Sequence, residues 1–398
     1  MSRSRTIVVL SIILSISIFS FSNSQISLIN LTNAINHENQ FFHEQIHIKD
    51  ALSITKGSKD IIVAVIDTGI DFSHPDLQNI AWTNAGEIAN NSIDDDSNGY
   101  IDDVCGWDFS SNDSTPGPEP GDLVHWHATF IAGIIAAPWD NNGMAGVAPN
   151  VTIMDIRLLD IETAFYSYEV FGAAIRYAAD NGADVINLSL YALGNSSDYY
   201  DELAYAYEKN IPIVSVTGNT YLPTGGQQLV VNPGASEIVI AVGATNIDQE
   251  RADYSNYGEE TELVAPVGDQ DGSNRIWSTM PFYSYDTYYG SGYGTSFACS
   301  QVAGVIALMR SLDYSLKVEE IRDILHKSAT DLGKRGKDIH FGYGLLNALK
   351  AVRAVLDPSI LTTKTNSNFI TFTSFFIVLA IIVSKRKQEN KNTKKLSN

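Results

Sequence analysis

Residues 61–69 read Ile-Ile-Val-Ala-Val-Ile-Asp-Thr-Gly, a short β-branched run that ends abruptly in an acid and a turn. A segment that is apolar at every position, rather than at every second one, is the pattern of a strand buried on both faces. Near-continuous apolar runs follow at 151–156, 185–188, 213–216 and 238–242, and helix-like stretches separate them at 129–137, 168–181 and 198–209. Strand and helix in alternation predict an α/β fold: a mainly parallel, twisted sheet with helices on both faces. Functional groups in such a sheet gather beyond the carboxyl ends of the strands. Asp67 stands at such an end, where it can orient an imidazole, although one acid after one strand is equally an ordinary turn residue.

Composition limits the alternatives. Hydrophobic residues make up 44% of the 398 and charged residues 18%, which excludes a disordered, collagen-like or multi-span chain. Acids outnumber bases 46 to 26, for a net charge of −20. Because the two ends carry mostly basic charge, the body is more acidic still, about −27. A body so acidic argues against a nucleic-acid partner and suits divalent cations. Cys105 and Cys299, the two cysteines, exclude a disulfide-rich scaffold. Cys299 falls in an apolar helix and Cys105 in a polar loop, so no bond between them is expected.

Three further fragments carry chemistry. His127 opens an apolar helix, with His125 two residues before it; that spacing does not put both rings on one helical face, which disfavours a helical metal pair. A glycine-rich loop, Gly290-Ser-Gly-Tyr-Gly294, delivers Thr295-Ser296 to the start of a long apolar helix. The backbone N–H groups at such a start favour negative charge, which suits a nucleophile whose reaction makes an oxyanion. Phosphate binding is the other use of a glycine run, but no Lys follows and the dinucleotide spacing is not met. The strand at 213–216 leads into Thr217-Gly218-Asn219, where the amide can donate to an oxyanion or simply make a turn. Residues 94–102 place Asp94, Asp96, Asn98 and Asp102 at near-alternate positions around Gly99, like the start of a calcium loop without its closing Glu.

Together these fragments resemble the subtilisin-like serine proteases, the subtilases, in their thermitase-like branch. VAVIDTGID, HATFIAGIIAA and GTSFACSQVAG are similar to the family's Asp, His and Ser motifs, and the likeness covers about Phe41 to Leu356. The resemblance implies a serine endopeptidase acting on polypeptides, with Ser296 as nucleophile, His127 as base and then acid, and Asp67 orienting the ring. It implies Asn219 as an oxyanion donor and Ser189, Leu190 and Tyr191 on the substrate-binding strand. Asp76 and Asp140 match one family calcium site, and Asp108, Asp113 and Thr115 match another. The alternative is a catalytically inactive subtilase fold serving as a surface binding protein. Several positions depart from the family pattern: Ala128, Phe130, Tyr191, Val267, Ser300 and Gln301.

The chain divides into a signal segment (1–24), a short lead (25–40), the catalytic domain (41–357), a polar spacer (358–368), an apolar segment (369–384) and a basic tail (385–398). Residues 1–24 have the basic, apolar and small-polar order of a secretory leader. Residues 369–383 are almost purely apolar and Lys385-Arg386-Lys387 follows, as expected of a membrane anchor with a cytoplasmic stop. The expected location is therefore the cell surface, with the body outside and assumed monomeric. Truncation after Pro358 is expected to release soluble, folded protein; sedimentation of that product with membranes would contradict the anchor.

Overall fold

The apolar runs lie side by side in one parallel sheet. Its strands are β1 (Ile62–Asp67), β2 (Gly106–Asp108), β3 (Thr152–Arg157), β4 (Val185–Leu188), β5 (Ile213–Val216), β6 (Ile240–Thr245) and β7 (Thr261–Pro266). Their order across the sheet is β2-β3-β1-β4-β5-β6-β7, so β1 sits between β3 and β4. A separate antiparallel pair, β8 (Ile276–Thr279) with β9 (Tyr289–Gly292), lies outside it. The computed structural model describes residues 40–361 except 119–125, 141, 160–165, 193, 195, 221–228, 272–273 and 283–286. The expected leader, apolar segment, basic tail and His125 fall outside the described residues.

Nearly every residue of these strands is buried, and successive residues point to opposite faces that meet different helices. Val63 and Val65 of β1 join one core with helices α3 (His127–Ala136), α6 (Thr295–Leu312) and α8 (Ala348–Leu356). Ala64 and Ile66 join the other with α4 (Tyr168–Asp180) and α5 (Ser197–Glu208). Short helices α1 (Phe41–Gln45) and α2 (Ile48–Leu52) pack on the first core, and α7 (Val318–Ser328) precedes α8. The α/β expectation thus holds, and the five foreseen strands lie within a few residues of their expected bounds.

Two sheet strands escaped the sequence reading for physical reasons. With three residues, β2 is too short to show a period. In β7 a buried acid, Glu262, interrupts the apolar pattern, and it is tolerated because Arg322 and His326 of α7 both pair with it.

Helix α6 is long and apolar enough to cross a membrane, but 89% of it is buried and it is the central core helix of this fold. Both cysteines are free, Cys105 exposed and Cys299 buried.

Helix α3 lies against β8 through hydroxyl contacts. Ser278 and Thr279 donate to the carbonyls of Phe130 and Thr129, at 2.7 and 2.6 Å. Gly133 permits this approach: a Cβ there would lie 2.3 Å from Thr279 Oγ1 and 2.4 Å from Ser278 Oγ. Gly133→Ala is therefore expected to destabilise the fold by about 1–3 kcal/mol through overpacking, outweighing the roughly 1 kcal/mol gain in helix propensity. A denaturant midpoint equal to or above wild type would contradict this packing.

Candidate active site

His127 is the first residue of α3, and the sequence there lacks a local cap: Trp126 makes no side-chain capping bond. The cap comes from the end of β1, where Thr68 Oγ1 accepts the Ala128 N–H at 3.0 Å. The same turn carries Asp67, whose two carboxylate oxygens each lie 2.9 Å from His127 Nδ1. Asp67 is 1% exposed and also accepts the Thr68 N–H, while the His127 side chain is 23% exposed. The Nδ1 edge of the imidazole is thus fixed by a buried carboxylate, and the ring remains partly open to solvent.

Helix α6 repeats the device. Gly294 has φ +139°, a conformation that favours glycine, and supplies no side chain to cap the helix. Instead Asn219, beyond β5, accepts from both Thr295 N–H and Thr295 Oγ1–H at 2.8 Å. Its Oδ1 is thereby committed, which leaves Nδ2 as the end free to donate; a Cβ on Gly294 would lie 3.3 Å from that nitrogen. Ser296 follows in the first turn, and its hydroxyl donates to the Ser189 carbonyl at 3.1 Å.

Ser189, Leu190 and Tyr191 continue the chain beyond β4. Ser189 and Leu190 are buried, and Tyr191 is 39% exposed. Tyr166 donates its hydroxyl to the Tyr191 carbonyl at 2.6 Å. The departures from the family pattern are absorbed locally. Phe130 stacks on Phe297 at 4.3 Å, Gln301 donates to the Pro266 carbonyl, and Val267 is wholly buried. The Phe297 ring lies 5.7 Å from that of His127, so Phe130 helps build an aromatic floor beneath it.

The acidic loop has a different organisation from the one its spacing suggests. Asp94 accepts the N–H groups of Asn98 and Gly99, and Asp102 accepts those of Asn91 and Ser92, so both close turns of the loop itself. Oxygens of Glu87, Asp96 and Asp103 converge instead, all within 4.8 Å of one another. Asn98 donates to both Asp96 and Asp103, and buried Asp103 also accepts the Tyr177 hydroxyl. Glu87 and Asp103 were missed because alternation from Asp94 leads to Asp102; nothing in the spacing distinguishes its neighbour.

Asp108 and Asp113 bridge through their main chains, but their carboxylates have separate partners. Asp108 faces Arg157 at 3.5 Å and accepts from Ser110 and Ser111, whereas Asp113 holds Thr115. Asp140 closes a turn with the Asn142 N–H.

Asp76 is the most perturbed of the candidate ligands. Burial pushes its carboxyl up to about 6; hydrogen bonds from Met144 N–H and Tyr289 O–H oppose the rise, and Asp140 adds repulsion. Beside it, burial lowers His74 to about 4, against the opposing pull of its bond to the Tyr288 carbonyl and of Asp71. His74 Nδ1 accepts the Asp76 N–H at 3.0 Å, so the buried ring is held in its neutral form. Two carboxyl groups that repel each other at a partly desolvated place fit the demand of a divalent cation.

The chain matches the subtilase family over residues 58–344. It is 35% identical over 303 residues to a thermophilic serine proteinase of Bacillus sp. (strain AK1), covering 76% of this chain and 64% of that protein. Thermitase of Thermoactinomyces vulgaris is 32% identical over 315 residues, 79% of this chain and 96% of thermitase. Subtilisin DY of Bacillus licheniformis is 31% identical over 294 residues, 74% of this chain and 91% of that protein. The chain thus spans a little under two thirds of the first of these relatives and nearly all of the other two.

The shift of Asp76 has a definite sign. Its folded value lies above the ordinary 3.8, so its stabilising contribution is complete below about pH 4 and is lost as pH rises through about 6. His74 runs the other way: its contribution is present above about 6.5 and is lost as pH falls toward 4. In chelator, Asp76→Asn is therefore expected to raise the melting temperature at pH 8, with the gain vanishing near pH 4. Excess calcium at pH 8 should raise the wild type by more than it raises Asp76→Asn. A gain that is equal at both pH values would contradict burial of the charge as the cause.

Proposed function

The chain belongs to the subtilase family of serine proteases, and from that premise we propose that it is an endopeptidase acting through Asp67, His127 and Ser296. The observation that carries the reading is the 2.9 Å contact of His127 Nδ1 with both oxygens of buried Asp67, at the sheet edge where the first turn of α6 carries Ser296. An extended peptide lies along Ser189–Tyr191. Ser296 Oγ leaves the Ser189 carbonyl and attacks the scissile carbon, and its proton passes to His127 Nε2. Asp67 keeps the ring in the tautomer that can accept and stabilises the imidazolium that forms. The oxyanion is met by the Ser296 N–H and Asn219 Nδ2, which need no reorganisation because Thr295 already fixes the amide. His127 returns its proton to the leaving amine, and water then releases the acyl group.

Calcium is proposed as a structural ligand, held by Asp76 with Asp140 and by Glu87, Asp96 and Asp103 in the loop. When bound it neutralises crowded carboxylates and orders the segment that leads toward His127. Export and anchoring at the cell surface rest on the chain's own ends, residues 1–24 and 369–387. The inactive binding-protein alternative is disfavoured because all four residues of a unit that works only as a whole are present.

With a peptide anilide substrate, Asn219→Ala is expected to lower kcat by about 10²–10³-fold with little change in KM. Asp67→Asn is expected to cost about 10⁴-fold, and Ser296→Ala or His127→Ala about 10⁶-fold. Hydrolysis that survives Ser296→Ala would overturn the mechanism.

A further inference from the structure

Behind the Ser296 turn runs a buried polar chain that the reaction above does not use. Cys299, one turn into α6, donates its thiol proton to Asn187 Oδ1 at 3.2 Å. Asn187 Nδ2 donates to Ser189 Oγ at 2.9 Å, and Ser189 Oγ donates to the Ser296 carbonyl at 3.0 Å. Ser296 Oγ then donates back to the Ser189 carbonyl. Asn187 and Cys299 are fully buried, and Ser189 and Ser296 are 5% and 7% exposed.

The direction of this chain is not arbitrary. The Ser296 carbonyl is only an acceptor, so the single proton of the Ser189 hydroxyl must point at it. The hydroxyl oxygen must then accept from Asn187, which requires Nδ2 on that side and Oδ1 toward the thiol. Burial pushes the Cys299 thiol well up, which keeps it protonated and able to donate. An inverted amide would draw the Ser189 proton to itself and leave the Ser296 carbonyl with the Ser300 hydroxyl, at 2.8 Å, as its side-chain donor, so the tie to the substrate strand would be lost.

We propose that Asn187 is a positioning residue for the nucleophile: its amide sets the proton direction of Ser189 and thereby fixes the main chain of Ser296 against the substrate strand. The inference rests on the protease reading. Asn187 touches neither the reacting hydroxyl nor His127; it acts through Ser189, which grips Ser296 at both its carbonyl and its hydroxyl. The two Ser296 groups that matter for chemistry, the Oγ and the N–H, belong to the residue this grip holds. A shift there of a fraction of an ångström falls on the reacting geometry rather than on overall substrate affinity.

Asn187→Asp tests this, because the variant has nearly the same shape but carries a proton only when neutral. Ionised, it offers oxygens on both sides and turns the Ser189 hydroxyl away from Ser296; protonated, it donates as the amide does. With a peptide anilide, kcat is expected to fall about tenfold or more near pH 8, with KM within about threefold. The ratio of variant to wild-type kcat should recover as pH is lowered from about 8 to about 6, since burial raises the pKa of the new acid.

A purely structural role would give a loss that does not change with pH, and that result, or an unchanged kcat, would overturn the proposal. Should Asn187→Asp fail to fold, Cys299→Ser and Cys299→Ala provide the second comparison. The hydroxyl keeps a donor for Asn187 Oδ1 and should preserve kcat, whereas Ala should lower it about threefold or more; equal kcat for the two would overturn the proposal. A wild-type chain that cleaves no peptide at all would instead sink the protease reading, and this inference with it.

Discussion

The site depends on one constraint: two core helices begin without caps of their own, and the carboxyl edge of the sheet supplies them. The first N–H groups of any helix lack internal partners and must find acceptors elsewhere. At α3 the acceptor is Thr68, just past β1; at α6 it is Asn219, just past β5. Satisfying these donors draws both helix starts to the same edge, because the strands are parallel and end on the same side. Asp67 meets His127 as a consequence, and Ser296 meets the end of β4. Residues distant in sequence converge through backbone hydrogen bonding, with each motif serving as the other's structural partner.

Much of this was legible in the sequence. The near-continuous apolar runs that gave β1, β3, β4, β5 and β6 do not alternate as amphipathic surface strands do, so burial on both faces, and with it parallel pairing, was the expectation from pattern alone. The acid, imidazole and hydroxyl were legible as chemistry at strand ends and helix starts. What the sequence did not carry was partnership across the chain. Thr68 and Thr295 are ordinary residues within their motifs until their bonds to Ala128 and Asn219 are seen. Glu262 hid β7 because its partners lie some 60 residues away on α7. In the acidic loop, linear alternation singled out Asp102, whereas the carboxylate oxygens that converge in the folded chain are those of Glu87, Asp96 and Asp103.

The acidic body handles its charge in different ways in different places. Asp108 faces buried Arg157, an arrangement in which loss of either partner would strand a charge. Asp155, also wholly buried and next to Arg157 on β3, is pushed well above its ordinary value by burial, and accepts the Ile70 N–H in the turn after Asp67. Asp76 stands between these extremes, desolvated enough to resist ionisation and close enough to Asp140 to be helped by a cation. Burial and pairing are therefore distributed around the carboxyl edge of the sheet, where the Asp67 carboxylate accepts hydrogen bonds from Thr68 N–H and His127 Nδ1.

The central claim is that Ser296 is a nucleophile activated by His127 at this edge. A fluorophosphonate probe, followed by peptide mapping, tests it directly on the calcium-loaded protein. The account predicts a single adduct on Ser296, lost in Ser296→Ala and strongly slowed in His127→Ala. Well-folded wild-type protein that takes up no probe, or takes it up at another residue, would contradict it.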